Sequence, residues 1–386
     1  MKVGIVCYPT FGGSGAVASE LGIELAKRGH CVHFISYGLP FRLNRDAKGI
    51  FFHEVEVMAY PLFRYPPYTL SLSVKMAEIF ESEKLDILHV HYAMPHATSA
   101  YLAQQMSDDG KMKFITTLHG TDITLVGNHH SFYKITRFSI EKSNGVTCVS
   151  NYLKNATAET FEIDRDRLEV IYNFVDSEKY RRDTASEASD RRKIVNDLIG
   201  QDFLKEGEKV VSHISNFRPV KNIQNIIKAF CRILKDVPSK LLLVGDGPDV
   251  SWCKLICSKL GIEDKVLFMG LQENIIPVLN ASDIYMLPSK SESFGLSALE
   301  ALSCSVPVVA TKNGGPGEII TDGEDGFLID PENYEEIAER ALDILSDGAK
   351  QSRMSGNARK KALKFDSNII VPKYLDYYLK ILNEEF

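Results

Sequence analysis

Short runs of apolar residues, rich in Val and Ile, alternate along the whole chain with amphipathic stretches of helical length. In the first half these runs are Val3–Cys7, Val32–Ser36, Ile87–His91, Phe114–Leu118 and Val146–Val149. In the second half they are Val210–Ser215, Leu241–Gly245, Val266–Gly270, Ile284–Pro288, Val306–Ala310 and Gly326–Ile329. Such alternation is typical of parallel βαβ units. The pattern therefore predicts an α/β protein with two doubly wound, Rossmann-like parallel sheets.

A polar, charge-rich stretch over residues 176–208 separates the two series of strands. It predicts a first domain over residues 1–173 and a second over residues 174–368. Residues 369–386 carry apolar and tyrosine side chains at helical spacing and need a surface to pack against. We expect this C-terminal helix to pack back on the first domain.

Composition limits the classes of protein that the chain can be. Its 386 residues are 44% hydrophobic and 25% charged, which excludes disordered, collagen-like and small disulfide-rich proteins. The 45 Lys and Arg against 51 Asp and Glu give a formal net charge of −6 without a long basic run, so no nucleic-acid partner is expected. The first apolar run is too short for a signal peptide or a membrane span, which favours a cytoplasmic protein without stable membrane insertion. A homo-oligomer stays open.

The seven cysteines are scattered and show neither a CxxC pair nor metal-ligand spacing with histidine. Only Cys253 and Cys257 are near neighbours, and their spacing indicates one packing face of a helix. We expect reduced thiols, no disulfide and no metal site.

A glycine-rich turn, Gly12-Gly13-Ser14-Gly15, follows the first predicted strand. Backbone amides of Gly13 and Gly15 at the start of the next helix could bind a phosphate of a ligand. The turn also fits the loose GxGxxA dinucleotide pattern, but the second strand ends without the acidic residue that binds an NAD ribose. A tight turn with close helix packing is the alternative.

His119 and Tyr92 each follow a predicted strand, where open α/β sheets bind their ligands. We expect His119 to contact a substrate, although a core histidine is the alternative. His89, His91 and His96 lie close to Tyr92 in sequence, but no carboxylate completes a metal-ligand set within that stretch. The sequence therefore favours a polar ligand over a metal ion here.

The loop after the first strand of the second series contains Asn216, Arg218 and Lys221. An arginine fork, a lysine point charge and nearby backbone amides together suit a diphosphate, whereas two solvated surface cations are the alternative. Gly245, at the end of the next strand, allows a backbone to approach a ligand closely.

Two glutamates, Glu292 and Glu300, lie in and after the loop that follows the strand Ile284–Pro288. A helix starting near Ser293 would place Glu300 about two turns further on, so the two carboxylates would bind different parts of one extended ligand rather than share a proton. The amides of three residues, Phe294, Gly295 and Leu296, would face a phosphate at that helix start. Capping and surface carboxylates are the alternative.

Taken together and in this order, these motifs resemble the GT-B-fold, family 4 retaining glycosyltransferases over essentially the whole chain. The resemblance is closest to members that transfer GlcNAc from UDP-GlcNAc to L-malate in the first step of bacillithiol biosynthesis. The segments that carry the closer resemblance are Cys7–Pro9, Pro40–Arg42, Tyr65–Tyr68, His91–His96, His119–Thr124 and Tyr172–Phe174. It implies a GT-B fold with two domains that face each other across a cleft.

The resemblance also implies roles for individual residues. Arg218 and Lys221 would hold the UDP diphosphate, Glu300 the ribose and Glu292 the hydroxyls of the donor sugar. His119 would contact that sugar near the reacting carbon. The chain departs from the family at Asn216, where arginine is common, and Arg218 would then take over its task.

For the acceptor, the resemblance implies that Ser14, Tyr92, Thr121 and Arg137 lie near the malate carboxylates. Arg137 is the natural anion partner among them. The implied reaction needs no cofactor and no metal, and the departing phosphate itself would take the proton of the malate hydroxyl. Transfer to another acceptor, UDP-GlcNAc 2-epimerisation and non-enzymatic sensing of a nucleotide sugar are the alternatives.

Overall fold

The computed structural model describes residues 1–43, 47–58, 60–107, 112–182, 193–197 and 202–384. The chain divides into two compact units. The first unit comprises Met1–Asn173 with Asn368–Phe386, and the second comprises Phe174–Ser367. Two parts of the predicted polar stretch, 183–192 and 198–201, lie outside the described residues.

The first unit is built on a sheet of seven strands whose pairs all run parallel. In chain order the strands are β1 (Lys2–Val6), β2 (Cys31–Ser36), β3 (Ile50–Glu54), β4 (Ile87–His91), β5 (Phe114–Leu118), β6 (Gly145–Cys148) and β7 (Leu168–Val170). The helices between them are α1 (Gly13–Lys27), α2 (Tyr68–Glu83), α3 (Thr98–Met106), α4 (Tyr133–Lys142) and α5 (Asn151–Phe161). Across the sheet the order is β3-β2-β1-β4-β5-β6-β7.

The second unit repeats this architecture with six parallel strands in the order β10-β9-β8-β11-β12-β13. They are β8 (Lys209–Ile214), β9 (Ser239–Val244), β10 (Val266–Gly270), β11 (Ile284–Leu287), β12 (Val308–Thr311) and β13 (Gly326–Ile329). Its helices are α6 (Ile223–Ile233), α7 (Val250–Leu260), α8 (Ile276–Ala281), α9 (Leu296–Ser303), α10 (Pro316–Ile319), α11 (Tyr334–Leu345) and α12 (Gly348–Ala362). The predicted fold class, two Rossmann-like parallel sheets, is confirmed.

Burial explains which strands the apolar pattern predicts. Every residue of β4 and β5 is buried, as expected for central parallel strands covered by helices on both faces. The pattern does not predict β3 or β7, the two edge strands of the first sheet. β3 buries only its first residue and β7 has only three residues, so neither forms a long apolar run.

The last helix, α13 (Ser367–Asn383), contributes buried tyrosines to the core of the first unit. The Tyr378 hydroxyl is 2.7 Å from Nδ1 of His89 on β4, and the Tyr377 hydroxyl accepts the amide of Val146 on β6 at 3.0 Å. The helix thereby joins two central strands through side chains that are themselves buried.

Candidate active site

In each sheet the strand order reverses at one point, between β1 and β4 in the first unit and between β8 and β11 in the second. At such a reversal the loops after the two adjacent strands run in opposite directions. A crevice therefore forms between them at the carboxyl ends of the strands. The predicted site residues that follow β1 and β4, or β8 and β11, are therefore brought to one place within each unit.

At the reversal of the first unit, Ser14 and Tyr92 form a hydrogen bond. Ser14 lies in the first turn of α1 and Tyr92 directly follows β4, and their hydroxyl oxygens are 2.8 Å apart. Tyr92 has a positive φ of 86°, and its amide donates to the carbonyl of Thr117 on β5. The structure thus brings together two residues that were predicted separately.

The two glycines of the α1 turn have different surroundings. A Cβ added at Gly15 would lie 2.7 Å from the Thr10 carbonyl oxygen, whereas a Cβ at Gly13 would meet nothing within 4 Å. Gly15 is therefore required for close packing of the helix start on the preceding loop. Gly13 begins α1, so its amide lies at the positive end of a 15-residue helix.

His119 belongs to a cluster of rings at the same edge of the sheet. Its Nε2 is 2.8 Å from Nδ1 of His91, and the ring of Tyr92 lies 5.3 Å from its own, centre to centre. Burial, with a smaller effect of His96, lowers the pKa of His119 to about 3. At neutral pH His119 is therefore an uncharged polar group, and it cannot act as a general acid in the imidazolium form.

Asp122 holds this cluster in place, a function that the sequence reasoning missed. Its carboxylate accepts the amides of His119 at 3.1 Å, Gly120 at 2.9 Å and Ala93 at 3.1 Å. Burial raises its pKa to about 6, although these backbone donors oppose the shift. The sequence does contain a signal for this role, because the aspartate follows the histidine by three residues. At that spacing a short side chain can accept hydrogen bonds from the backbone amides of its own turn.

Two predicted acceptor residues lie outside this hydrogen-bonded group. Thr121 begins the turn Thr121–Leu125 and is partly exposed. Arg137 lies on α4, where its guanidinium donates to Glu141 at 2.9 Å and to Glu162 at 3.0 Å. A bound carboxylate would therefore compete with two carboxylates of the protein for Arg137.

At the reversal of the second unit, Lys221 and Glu292 form an ion pair. The Lys221 ammonium donates to Oε2 of Glu292 at 2.6 Å, and Ser289 donates to the same oxygen at 3.3 Å. Lys221 ends a short turn after β8, and Glu292 lies in the loop after β11. Both side chains are partly exposed, at 21% and 16%, so a ligand can reach them.

The other predicted residues of the loop after β8 are arranged around this pair. Arg218 is exposed and begins the turn that Lys221 ends. Oδ1 of Asn216 is buried and has no hydrogen-bond partner among the described residues. Gly245 has a φ of +126°, and a Cβ there would lie 1.8 Å from the Ser215 carbonyl oxygen, so only glycine fits.

The helix that carries Glu300 begins later than predicted. Gly295 is left-handed, with a φ of 91°, and α9 starts at Leu296 rather than near Ser293. The amides at the helix start are consequently those of Leu296 and the two residues after it, while Phe294 is buried and its amide precedes the helix. Glu300 is the fifth residue of α9, just over one turn from its start, and is 3% exposed.

Both units resemble parts of known glycosyltransferases. Residues 11–179 match the model of Glycosyltransferase Family 4, and residues 196–361 match that of Glycosyl transferases group 1. N-acetyl-alpha-D-glucosaminyl L-malate synthase of Bacillus anthracis is 45% identical over 100% of this chain and 98% of its own length. The chain belongs to the family 4 glycosyltransferases. The predicted family and the predicted class of enzyme are confirmed.

Solved structures show the same fold for this glycosyltransferase. A glycosyltransferase from Rickettsia africae ESF-5 superposes with a TM-score of 0.80 at 24% identity and covers 100% of this chain and 99% of its own. Anabaena HepE in complex with UDP-glucose gives a TM-score of 0.80 at 21% identity, over 98% of this chain and 100% of its own. The fold is GT-B. None of the described helices is both long and apolar enough to cross a membrane.

Proposed function

We propose that this glycosyltransferase moves GlcNAc from UDP-GlcNAc to the hydroxyl of L-malate, with retention at the anomeric carbon. The product is N-acetyl-α-D-glucosaminyl L-malate, the first intermediate of bacillithiol biosynthesis. The observation that carries the proposal is the full-length 45% identity to a relative with that named activity. The arrangement of residues at the two strand reversals supports it.

The second unit binds the nucleotide sugar. Departure of UDP leaves negative charge on the diphosphate, and stabilising that charge is the largest electrostatic task of the reaction. Lys221 has three donors, so it can keep its bond to Glu292 and still donate to a phosphate. Arg218 adds a second cation from the same turn. Positive charge on the protein can thus replace a divalent metal, and we propose metal-independent transfer.

Three further polar groups of this unit suit the rest of the donor. Glu292 accepts hydrogen bonds from the sugar hydroxyls, and its contact with Lys221 orients its carboxylate. Glu300 binds the ribose hydroxyls. The buried, unpaired Oδ1 of Asn216 is an acceptor that a donor hydroxyl or amide can satisfy. The amide of Gly245 is already bonded to the Gly270 carbonyl, so Gly245 contributes close approach rather than a donor.

The first unit binds L-malate. The Ser14 and Tyr92 hydroxyls form a hydrogen bond with each other. Each is uncharged, so either can rotate and donate to a malate carboxylate without leaving a charged group of the protein without a partner. Gly13 and Ser14 also present amides at the start of α1, where the helix dipole favours an anion. Thr121 and Arg137 are the other two acceptor-binding residues. Arg137 would exchange one of its two glutamate partners for a malate carboxylate. His119, uncharged at neutral pH, contacts the reacting sugar.

The first experiment measures UDP release from UDP-GlcNAc with and without L-malate in EDTA, with mass spectrometry of the product. Malate-dependent release with the mass of GlcNAc-malate is expected. Release that ignores malate would refute the proposed acceptor, and conversion of the donor to UDP-ManNAc without malate would indicate an epimerase.

Variants then test the residues. We expect Lys221→Ala and Glu300→Ala each to reduce turnover at least tenfold, or about 1.4 kcal/mol of transition-state stabilisation. Lys290→Ala is the matched control, because Lys290 lies close to Glu292 in sequence but pairs with Glu332 at 3.4 Å. Arg137→Ala should raise the KM for malate and leave that for UDP-GlcNAc unchanged. An unchanged malate KM would remove Arg137 from the acceptor site.

A further inference from the structure

Two histidines and a glutamate meet at the β3 edge of the first sheet, away from the residues described above. His33 lies on β2, His53 on the neighbouring β3, and Glu83 is the last residue of α2. One ligand atom from each residue lies within 4.8 Å of the other two. These positions are 20 and 30 residues apart in the chain, so no sequence motif reveals them.

The two imidazoles form a hydrogen bond, in which a ring nitrogen of one histidine donates its proton to a ring nitrogen of the other. Nδ1 of His33 and Nε2 of His53 are 3.0 Å apart, and the two rings are nearly parallel, with 9° between their planes. A tetrahedral zinc ion bound at about 2.05 Å holds its nitrogen ligands about 3.3 Å apart. A bound ion would take the place of the proton that the two nitrogens share, so the nitrogens separate by a few tenths of an ångström and each ring turns to direct its lone pair at the ion. The Glu83 side chain has three rotatable bonds, so it can move a carboxylate oxygen toward the two nitrogens and become the third ligand of the ion.

One residue of the site is buried and the other two are partly exposed. His33 is 2% exposed, and its ring stacks on that of Phe51 at 4.8 Å. His53 and Glu83 are partly exposed, so an ion can enter and a water molecule can fill the fourth position. Burial lowers the pKa of both histidines, which favours the neutral imidazoles that bind metals.

The charges that face the site include two lysines as well as Glu83. Lys2, on β1, donates to the backbone carbonyl of Glu83 at 2.7 Å, and Lys75, on α2, pairs with Glu78 at 3.7 Å. Both lysines lower the pKa of a histidine of the site, Lys2 that of His33 and Lys75 that of His53, and both oppose a dication, whereas Glu83 favours one. The carboxylate of Glu78 partly neutralises Lys75, whereas the partner of the Lys2 ammonium is an uncharged carbonyl. The site still allows a borderline metal ion, whose bonds to imidazole are substantially covalent.

We propose that His33, His53 and Glu83 bind one divalent metal ion of the zinc class. Two imidazoles and a carboxylate with an open fourth position suit Zn²⁺, Co²⁺ and Ni²⁺ better than Mg²⁺ or Ca²⁺, which prefer oxygen ligands. The ion joins the edge strand β3 to β2 and to the end of α2, and it takes no part in sugar transfer. Its effect is to stabilise the open edge of the first sheet.

The test uses the full-length protein stripped of metal and titrated with ZnCl₂ or CoCl₂. Wild type should bind one equivalent, give the visible spectrum of tetrahedral cobalt, and melt at a higher temperature with zinc than without it. His53→Gln and Glu83→Gln should each weaken binding at least tenfold and abolish the increase in melting temperature. Both side chains are partly exposed, so these variants should fold, and their metal-free melting temperatures check this.

The matched control is His130→Gln, because His129 and His130 form an exposed pair with rings 4.2 Å apart that could bind metals on the surface. This variant should bind zinc as wild type does. Equal affinity in wild type and His53→Gln would overturn the proposal. So would a cobalt spectrum with thiolate charge-transfer bands, which would assign the metal to cysteine.

Discussion

Acid should destabilise the first unit more than the second. His89, His91 and His96 are all 0% exposed in the first unit, and burial lowers the pKa of His89 to about 3 and that of His96 to about 4. The pKa of His91 falls well below its ordinary 6.5 for the same reason, with additional effects of His89, His119 and His96. Each of these histidines stays neutral in the folded protein at a pH where the unfolded chain binds a proton.

The sign and size follow from proton linkage. Because the unfolded state binds more protons below the ordinary histidine pKa of 6.5, the free energy of unfolding falls as the pH falls. Between about pH 7.5 and pH 5.5 the loss is about 1.4 kcal/mol for each such histidine. His119, whose pKa burial also lowers to about 3, is the fourth in this unit, so the total is about 5.5 kcal/mol. Asp122 acts in the opposite direction, since its pKa of about 6 lies above its ordinary 3.8. Its protonation returns about 0.8 kcal/mol, so the net loss is about 5 kcal/mol.

The second unit provides an internal comparison. Its fully buried His213 has a pKa lowered to about 4, chiefly by burial, and accounts for a loss of only about 1.4 kcal/mol over the same interval. Hydrogen exchange measured by mass spectrometry on β4 and β8, corrected for intrinsic rates, follows the two units separately. The single tryptophan, Trp252 on α7, reports unfolding of the second unit by fluorescence in urea.

We expect protection of β4 to decrease by about three times as many kcal/mol as protection of β8. A His89→Gln variant should lose about 1.4 kcal/mol of the pH dependence of the first unit and none of that of the second. Equal losses in the two units, or an unchanged β4, would refute the reasoning that the buried histidines are neutral.

Four substitutions test other contacts. Gly245→Ala should cost about 1–3 kcal/mol of stability from backbone strain alone and abolish UDP binding, whereas Gly13→Ala should cost little; equal melting temperatures and UDP affinities by calorimetry would contradict this. Asp122→Asn removes a buried carboxylate that accepts three amides, so unfolding in urea should become easier by about 1–3 kcal/mol and the malate KM should rise; a wild-type KM would show that the loop needs no such anchor. Tyr378→Phe leaves Nδ1 of His89 without its 2.7 Å partner, so the first unit should lose about 1–3 kcal/mol, measured by urea unfolding, and no loss would mean that another group takes over the bond.

The central strands could be predicted from the sequence because their environment is uniform. β4 and β5 are buried on both faces, so each is one short apolar run with the observed bounds. Edge strands lack that signal: β3 reads Ile-Phe-Phe-His-Glu and is only partly covered. The start of α9 was also mispredicted, because the left-handed conformation of Gly295 is a property of its tertiary surroundings and not of the local sequence.

The positions of the candidate site residues after strands could be predicted, but their pairing could not. Ser14 and Tyr92 are 78 residues apart, and Lys221 and Glu292 are 71 apart. Each follows a strand, which the apolar pattern reveals, yet only the strand order brings the members of a pair together. Asp122 was missed for a different reason: it acts on backbone amides, and a short acidic side chain in a turn is common without any functional consequence.

The two units share a topology, but the side chains at their strand reversals differ in charge. In the second unit the pair is charged, and its lysine suits a diphosphate that gains negative charge as the bond to the sugar breaks. In the first unit Ser14, Tyr92 and His119 are all uncharged at neutral pH, so they can orient an acceptor without trapping it by strong ion pairing. A dicarboxylate would still need compensating positive charge. In the proposed site the start of α1 and Arg137 would supply it only weakly, because that arginine already has two carboxylate partners. The difference in charge therefore supports the proposal that the second unit binds the leaving group and the first unit binds the acceptor.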